Sequence, residues 1–341
     1  MTTDTGKLKD IEAIGLKTII MLSSFFLRFK QFGGWGLFVE YCRMGLLGTC
    51  SRLGLLVLMG RMKPMEAYRK LLRKVESKLR EKYTPVLIQK EKEYSNEHIK
   101  RDVTRRIWLC WLQGMDDAPE LVKVCYESLC KNITDREIVV LTNENLSQYV
   151  HLPGYIERKH EKGIIPDAAF TDMLRLELLC KYGGTWIDAT VLCTGSEGIN
   201  DLFDADLFVF QQIHKGSTKF MGMSSWMMSS AANNSFLMVV RDLLYEYWRE
   251  KDCVVDYFLI HLFFCMMAER HPEVVEKMPR RGNHIPHYLQ RRLAEPYDEQ
   301  WMEELKRRTC FHKLSYRLDD SILGSKGTFY DVMIKQTRIE K

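Results

Sequence analysis

No long apolar run in this 341-residue chain is free of breaks. Thr18–Leu27 falls short of the roughly 20 residues a spanning helix needs. Met44–Met59 carries Arg52 in its middle, among Gly45, Gly48, Ser51 and Gly54. A membrane-spanning helix is therefore the weaker expectation. The first residues mix acidic and basic side chains, and no small-residue cleavage site follows, so a secretory signal is not expected. Charge of one sign is also missing: the formal net charge is only +5, with no zinc-finger spacing, RNA-binding signature or Walker loop, which argues against a nucleic-acid partner. There is no CxxC pair. Most of the ten cysteines, including Cys110, Cys125, Cys180, Cys193 and Cys265, lie in apolar runs as small hydrophobes would, so reduced thiols in a cytosolic enzyme are expected. Repeats and low-complexity tracts are absent, and a hydrophobic content of 46% excludes disorder.

What is present divides near position 100. Residues 1–100 read as a helical N-terminal region. Residues 16–60 are rich in Leu, Phe and Met, and a strongly basic helix is expected over 61–82, with Arg69, Lys70, Arg73, Lys74, Lys78, Arg80 and Lys82. Two readings stay open. The apolar stripes pack on the following domain with the basic run solvated, or the region lies on an anionic membrane surface, apolar face down. The large apolar excess in so short a segment favours the membrane surface.

Residues 101–341 alternate between strand and helix patterns. Strands are expected at Ile107–Leu112, Glu137–Leu141, Thr185–Leu192 and Leu207–Gln212. Helices are expected at Pro119–Cys130, Leu146–His151, Asp172–Tyr182, Ser235–Arg249 and Tyr257–Glu269. Such alternation implies an α/β fold with a mostly parallel sheet, whose ligands gather beyond the carboxyl ends of the strands. Gln113-Gly114, Thr142-Asn143 and Asp188 would lie there.

The most informative stretch is Phe170 to Thr190, FTDMLRLELLCKYGGTWIDAT. Asp172 and Arg175 are one turn apart on a helix and share a face, as a functional pair or a plain intrahelical ion pair. Gly183-Gly184 then break the helix, and a short strand ends on Asp188. Glycines permit close approach of backbone to a ligand, and a carboxylate at a strand end can bind a hard cation beside a pyrophosphate.

These residues resemble the pattern (S/T)-D-x-x-R-x-x-x-L-x-x-x-G-G-x-(Y/W)-x-D, filled here by Thr171-Asp172, Arg175, Leu179, Gly183-Gly184, Trp186 and Asp188. It is the sugar-binding signature of glycosyltransferases with a DxD motif, within the capsular polysaccharide synthesis proteins and their relatives, the α-mannosyltransferases and glucosylating toxins. The stretch Ile107-Trp108 to Gln113-Gly114 resembles the first strand of those enzymes, and the likeness spans roughly residues 104 to 320.

The resemblance implies a GT-A type nucleotide-sugar-binding sandwich over residues 101–341. It also implies transfer of a sugar from a UDP- or GDP-sugar to a glycan or lipid-linked acceptor, with retention of configuration, at the cytoplasmic face of a membrane. By the same likeness Asp188 binds a cation and the donor's ribose-diphosphate region, and Asp172 and Arg175 hold sugar hydroxyls and the donor phosphate. Trp108 contacts the base, and Gln113, Gly183 and Gly184 line the donor site. The chain departs from DxD at Thr190, where a second carboxylate would stand, which weakens the expected Mn²⁺ or Mg²⁺ site. His312 is the candidate second ligand and Lys313 a candidate diphosphate contact. Asp167 and Asp256 are weaker candidates for orienting an acceptor. A protein-modifying transferase and a non-catalytic binding subunit are the alternatives.

Overall fold

The computed structural model describes residues 35–95, 104–212 and 222–336. The apolar run Thr18–Leu27 and the expected boundary at position 100 lie outside these. Two compact units emerge. Among the described residues, the first combines residues 35–83 with Gly154–Ala169 and Glu246–Leu259; the second holds those of Thr84–Pro153, Phe170–Tyr245 and 260–336. The division between these units falls inside a helix at Tyr83, and the first unit takes in two later segments that no local pattern announces.

In the first unit, helices α1 (Trp35–Arg43) and α2 (Leu47–Leu58) lead into α3 (Pro64–Tyr94), the expected basic helix extended by more than two turns. Helix α3 buries one stripe, with Ala67, Val75, Leu79 and Tyr83 at intervals of four or eight residues, so they stack on one face of a 3.6-residue helix. Its basic side chains Arg69, Lys70, Arg73, Lys74 and Lys78 point outward. Helix α2 differs: although mostly apolar, it buries no residue at all. Buried charges in this unit are paired. Glu40 accepts from the Lys251 ammonium, and Lys159 Nζ donates to the carbonyls of Trp248 (2.6 Å) and Lys251 (3.0 Å).

The second unit is built on a five-stranded sheet in the order β2-β1-β3-β6-β5: β1 Arg106–Cys110, β2 Glu137–Leu141, β3 Gly184–Ile187, β5 Leu207–Gln211 and β6 Met223–Ser230. Strand β1 runs parallel to β2 and β3, while β6 runs antiparallel to β3 and β5. Four strands thus share one direction, which matches the expected mostly parallel sheet. Strand β4 (Val191–Cys193) belongs elsewhere. It forms a two-stranded antiparallel sheet with β7 (Phe311–Lys313), so the single strand expected over Thr185–Leu192 is two strands in two sheets.

Helix α4 (Glu120–Asn132) packs between the two cores. Val122 and Leu129 join Ile107, Ile187, Phe208 and Met227, whereas Leu121, Val124 and Cys125 face Leu192, Leu289 and Phe329. Polar edges fix it to β4: Ser128 Oγ accepts from Cys193 N at 2.9 Å, and Asn132 Nδ2 donates to Cys193 O at 3.0 Å. Helix α5 (Asp167–Tyr182) delivers the chain to β3 and starts a turn earlier than expected. Helices α6 (Ser235–Glu250) and α7 (Leu259–Arg270) lie close to their expected ranges, and α8 (Glu299–Arg308) follows them.

Candidate active site

The β3 strand ends at Ile187, and the chain turns sharply before β4. Asp188 N still donates to Trp226 O of β6 at 2.8 Å, Val191 N returns to Asp188 O at 3.1 Å, and Leu314 N reaches Thr190 O at 2.9 Å. The turn 188–190 is therefore stitched to the large sheet at one end and to the small sheet at the other. It stands at the carboxyl edge of β1, β2 and β3, where the fold was expected to bind its ligand.

Four charged side chains meet there. Asp188 Oδ2 lies 3.0 Å from Lys313 Nζ, while Oδ1 accepts from Trp186 Nε1 at 2.9 Å and sits 3.6 Å from Arg175 Nη2. Arg175 Nη2 is also 3.3 Å from Asp172 Oδ1, and its Nη1 donates to Ser225 O. The guanidinium lies over the Trp186 ring, 5.0 Å from its centroid. Lys313 Nζ donates again, to Thr190 Oγ1 at 2.6 Å. The Asp188 side chain is 25% exposed and that of Lys313 19%, so the cluster opens to solvent at one side.

Burial and charge divide the two carboxylates. Burial alone would raise Asp188, but Lys313, Arg175 and the Trp186 N–H outweigh it and hold the carboxyl below its ordinary value. At Asp172 burial wins over the Arg175 attraction, and with Asp188 repelling it the pKa rises to about 6. One acid is thus held ionised and its neighbour is balanced between states. Helix α7 adds His261, pushed down to about 4 by burial and then by Arg175; among the described residues His287 is lowered by burial, Lys313 and Arg291.

Asp188, Asp172, Arg175 and Lys313 are therefore brought together as the sequence led us to expect. Other expected donor contacts are not. Trp108 has no exposed surface: its Nε1 donates to Gly183 O at 2.9 Å, and Tyr149 and Tyr182 pack on it, so it braces the sheet and offers no face to a base. Gly183 and Gly184 lie at the amino end of β3, four residues and roughly 13 Å of strand from Asp188. Their need for glycine is internal. A Cβ on Gly184 would stand 2.5 Å from Arg106 O and one on Gly183 2.8 Å from Ala232 N, both at positive φ.

His312 is buried with no exposed surface, its Nε2 2.9 Å from Thr194 Oγ1, and burial drives it to about 3; on the strand it is Lys313, the next residue, that reaches Asp188. Gln113 is exposed in the turn after β1, held by Gly114 N to Trp111 O (2.9 Å). Asp167, near His160 Nε2 at 3.0 Å, and Asp256, which accepts from Phe258 N at 2.8 Å, belong to the first unit.

Two aromatic residues were missed. Trp111 lies just past the end of β1, half-buried, in edge contact with Tyr316 at 5.3 Å between ring centroids, and its buried Nε1 has no partner among the described residues. No signal in the sequence set it apart, because the first strand was expected to run to Leu112 and so to contain it.

A divalent ion fits this donor set poorly. One carboxylate is present where two are expected, its oxygens already face an ammonium, an indole N–H and a guanidinium, and His312 is turned away. Among the described residues no three His, Cys, Asp or Glu side chains are grouped to hold a metal.

The family model for capsular polysaccharide synthesis proteins matches residues 61–333, most of the chain and all of this cluster. The chain belongs to that family. No curated protein matches it. Among solved structures, a PaToxG glycosyltransferase is similar over 59% of this chain and 82% of its own, with 14% sequence identity and a TM-score of 0.37. Within the family match lie Asp172, Arg175, Asp188, Thr190 and Lys313, together with all of helix α3.

Proposed function

We propose that this protein is a glycosyltransferase of surface polysaccharide synthesis. It moves a sugar from a UDP- or GDP-sugar to a glycan or lipid-linked acceptor, in a GT-A type domain and with retention of the anomeric configuration. The observation that carries the reading is the meeting of two carboxylates and two cations at the carboxyl edge of a largely parallel sheet, where folds of this class take nucleotides.

Each group has a task in such a transfer. Arg175 and Lys313 offer positive charge to the diphosphate. Asp188 holds both cations in register. Asp172, the less committed carboxylate, accepts from sugar hydroxyls. Trp111 and Tyr316, at the same edge and partly exposed, suit the flat faces of a base better than the enclosed Trp108. In the front-face course that the resemblance implies, the departing diphosphate takes the acceptor's proton.

The first unit supports attachment to the cytoplasmic face of a membrane rich in anionic lipid. No helix among the described residues is long and apolar enough to cross a bilayer. Helix α2 instead leaves Leu47, Leu55 and Leu58 exposed, followed by Met59 and Met65, and Arg52, Arg61, Arg69 and Arg73 of the same stretch of chain are exposed as well. Exposed apolar side chains and exposed arginines in one stretch match a headgroup layer, which takes the first into its acyl boundary and pairs with the second.

The enzyme reading is tested by screening nucleotide sugars for thermal stabilisation of the full chain and following nucleotide release from those that bind. Asp188→Asn, which keeps the shape, is expected to lower release by at least about 100-fold. A folded Asp188→Asn protein with full turnover would overturn the assignment. Thr190 favours one rival, a binding subunit that has lost turnover. Tight donor binding with no release on any acceptor selects that rival.

A further inference from the structure

We infer that the ammonium of Lys313 occupies the place of the divalent cation in this site, so that a nucleoside diphosphate is bound, and its departure assisted, without a metal ion. The inference rests on the glycosyltransferase reading and deepens it.

Its basis is where the ammonium stands. In a two-carboxylate motif, the side chains at positions 188 and 190 hold the cation between them. Here Lys313 Nζ lies 3.0 Å from Asp188 Oδ2 and donates to Thr190 Oγ1 at 2.6 Å. One positive group thus touches both positions. The threonine is not an empty slot but the second acceptor of that group. The backbone holds the arrangement: Lys313 pairs with Val191 across the small sheet, and Leu314 N bonds Thr190 O at 2.9 Å. A flexible lysine stem is therefore anchored at its base and at its tip.

The chemistry matches the task. An ammonium carries three donors. Two are used, on Asp188 and Thr190, and the third has no partner among the described residues. Arg175, also bound to Asp188, adds a second permanent positive charge within the same cluster. A divalent ion at Asp188 would have to displace the ammonium or sit against it, and like charges at such range repel strongly.

In the transfer itself, the bond between the anomeric carbon and the β-phosphate oxygen breaks, and its electron pair stays on that oxygen. The acceptor oxygen forms the new bond to the same carbon, and the acceptor proton leaves on the diphosphate. Lys313 donates a hydrogen bond to the developing charge and keeps its proton throughout. No other reactant is needed.

The test uses the full-length protein and UDP and GDP as probes, with binding measured by calorimetry in EDTA and again in excess Mn²⁺ or Mg²⁺. At least one diphosphate is expected to bind in EDTA, with less than a threefold change on adding either ion. Lys313→Met is expected to weaken that binding at least tenfold, and Lys313→Arg to restore most of it. Binding that appears only with Mn²⁺ or Mg²⁺ overturns the inference and leaves the glycosyltransferase reading standing. Equal binding by a folded Lys313→Met protein also overturns it. Failure of both diphosphates to bind under every condition sinks the inference and the donor assignment together. If Lys313→Met does not fold, wild-type binding that requires an added ion still overturns the inference, and Lys313→Arg reports on the ammonium.

Discussion

Asp172 and Asp188 share one guanidinium yet are pushed in opposite directions, and this separation has a measurable consequence. Asp172 is raised from 3.8 to about 6, so the folded protein keeps a proton there that the unfolded chain has already released. Its contribution to stability is present at low pH and is lost as pH rises through about 6. Above that, ionised Asp172 is a cost. Asp172→Asn is expected to raise thermal stability at pH 7 to 8, by up to about 3 kcal/mol, while lowering turnover. Wild-type turnover should climb across pH 6 as the carboxylate becomes a pure acceptor, and the variant should lose that limb. Parallel melting curves and pH–rate profiles check both halves. At this scale the sequence was legible where spacing is local: a helical turn joins Asp172 to Arg175, and a strand end presents Asp188. It failed where parity decides. Neighbouring residues on a strand face opposite sides, and nothing in the letters told His312 from Lys313. Likewise Trp108, inside β1, and Trp111, just beyond it, differ only in where the strand stops.

The elements show why the double glycine is there. Helix α5 must end and β3 begin within one residue, and β3 must pass so close to β1 that Gly184 has no room for a Cβ beside Arg106 O. Gly184→Ala, strained by both contact and positive φ, is expected to cost roughly 2–4 kcal/mol and to depress the melting temperature sharply. The protein that remains folded should bind its donor normally, because the glycine lies at the far end of the strand; a selective loss of binding with stability intact would contradict this. The order of strands and helices was legible from alternating apolar patterns. The transfer of the chain to a second sheet after Asp188 was not, because Val191–Cys193 reads as a continuation of the same strand and pairing partners from residues 223–230 and 311–313 decide which sheet each piece joins.

For the molecule as a whole, the sequence indicated an N-terminal helical region and a larger α/β body, and the two compact units part at Tyr83. Helix α3 crosses that division without interruption, and the segments 154–169 and 246–259 join the first unit through contacts such as Lys159 with Trp248. The exposed leucines of α2 make attachment to lipid the property to measure. Sedimentation with vesicles containing phosphatidylglycerol should retain the wild-type chain and release it on raising salt or on substituting neutral phosphatidylcholine. Leu55→Glu with Leu58→Glu should lower retention at least about tenfold, since each buried leucine is worth about 1.5–3 kcal/mol. Equal retention of that variant would assign the face to another occupant.

In the proposed transfer, the bond between Lys313 and Asp188 also governs the moment after each turnover. When the spent nucleotide departs, it leaves no naked charge behind in a partly enclosed hollow, because the acid beside the amine is ready to reclaim it. On that proposal the resting site is its own counterion, and product exchange proceeds without waiting for an ion from solution.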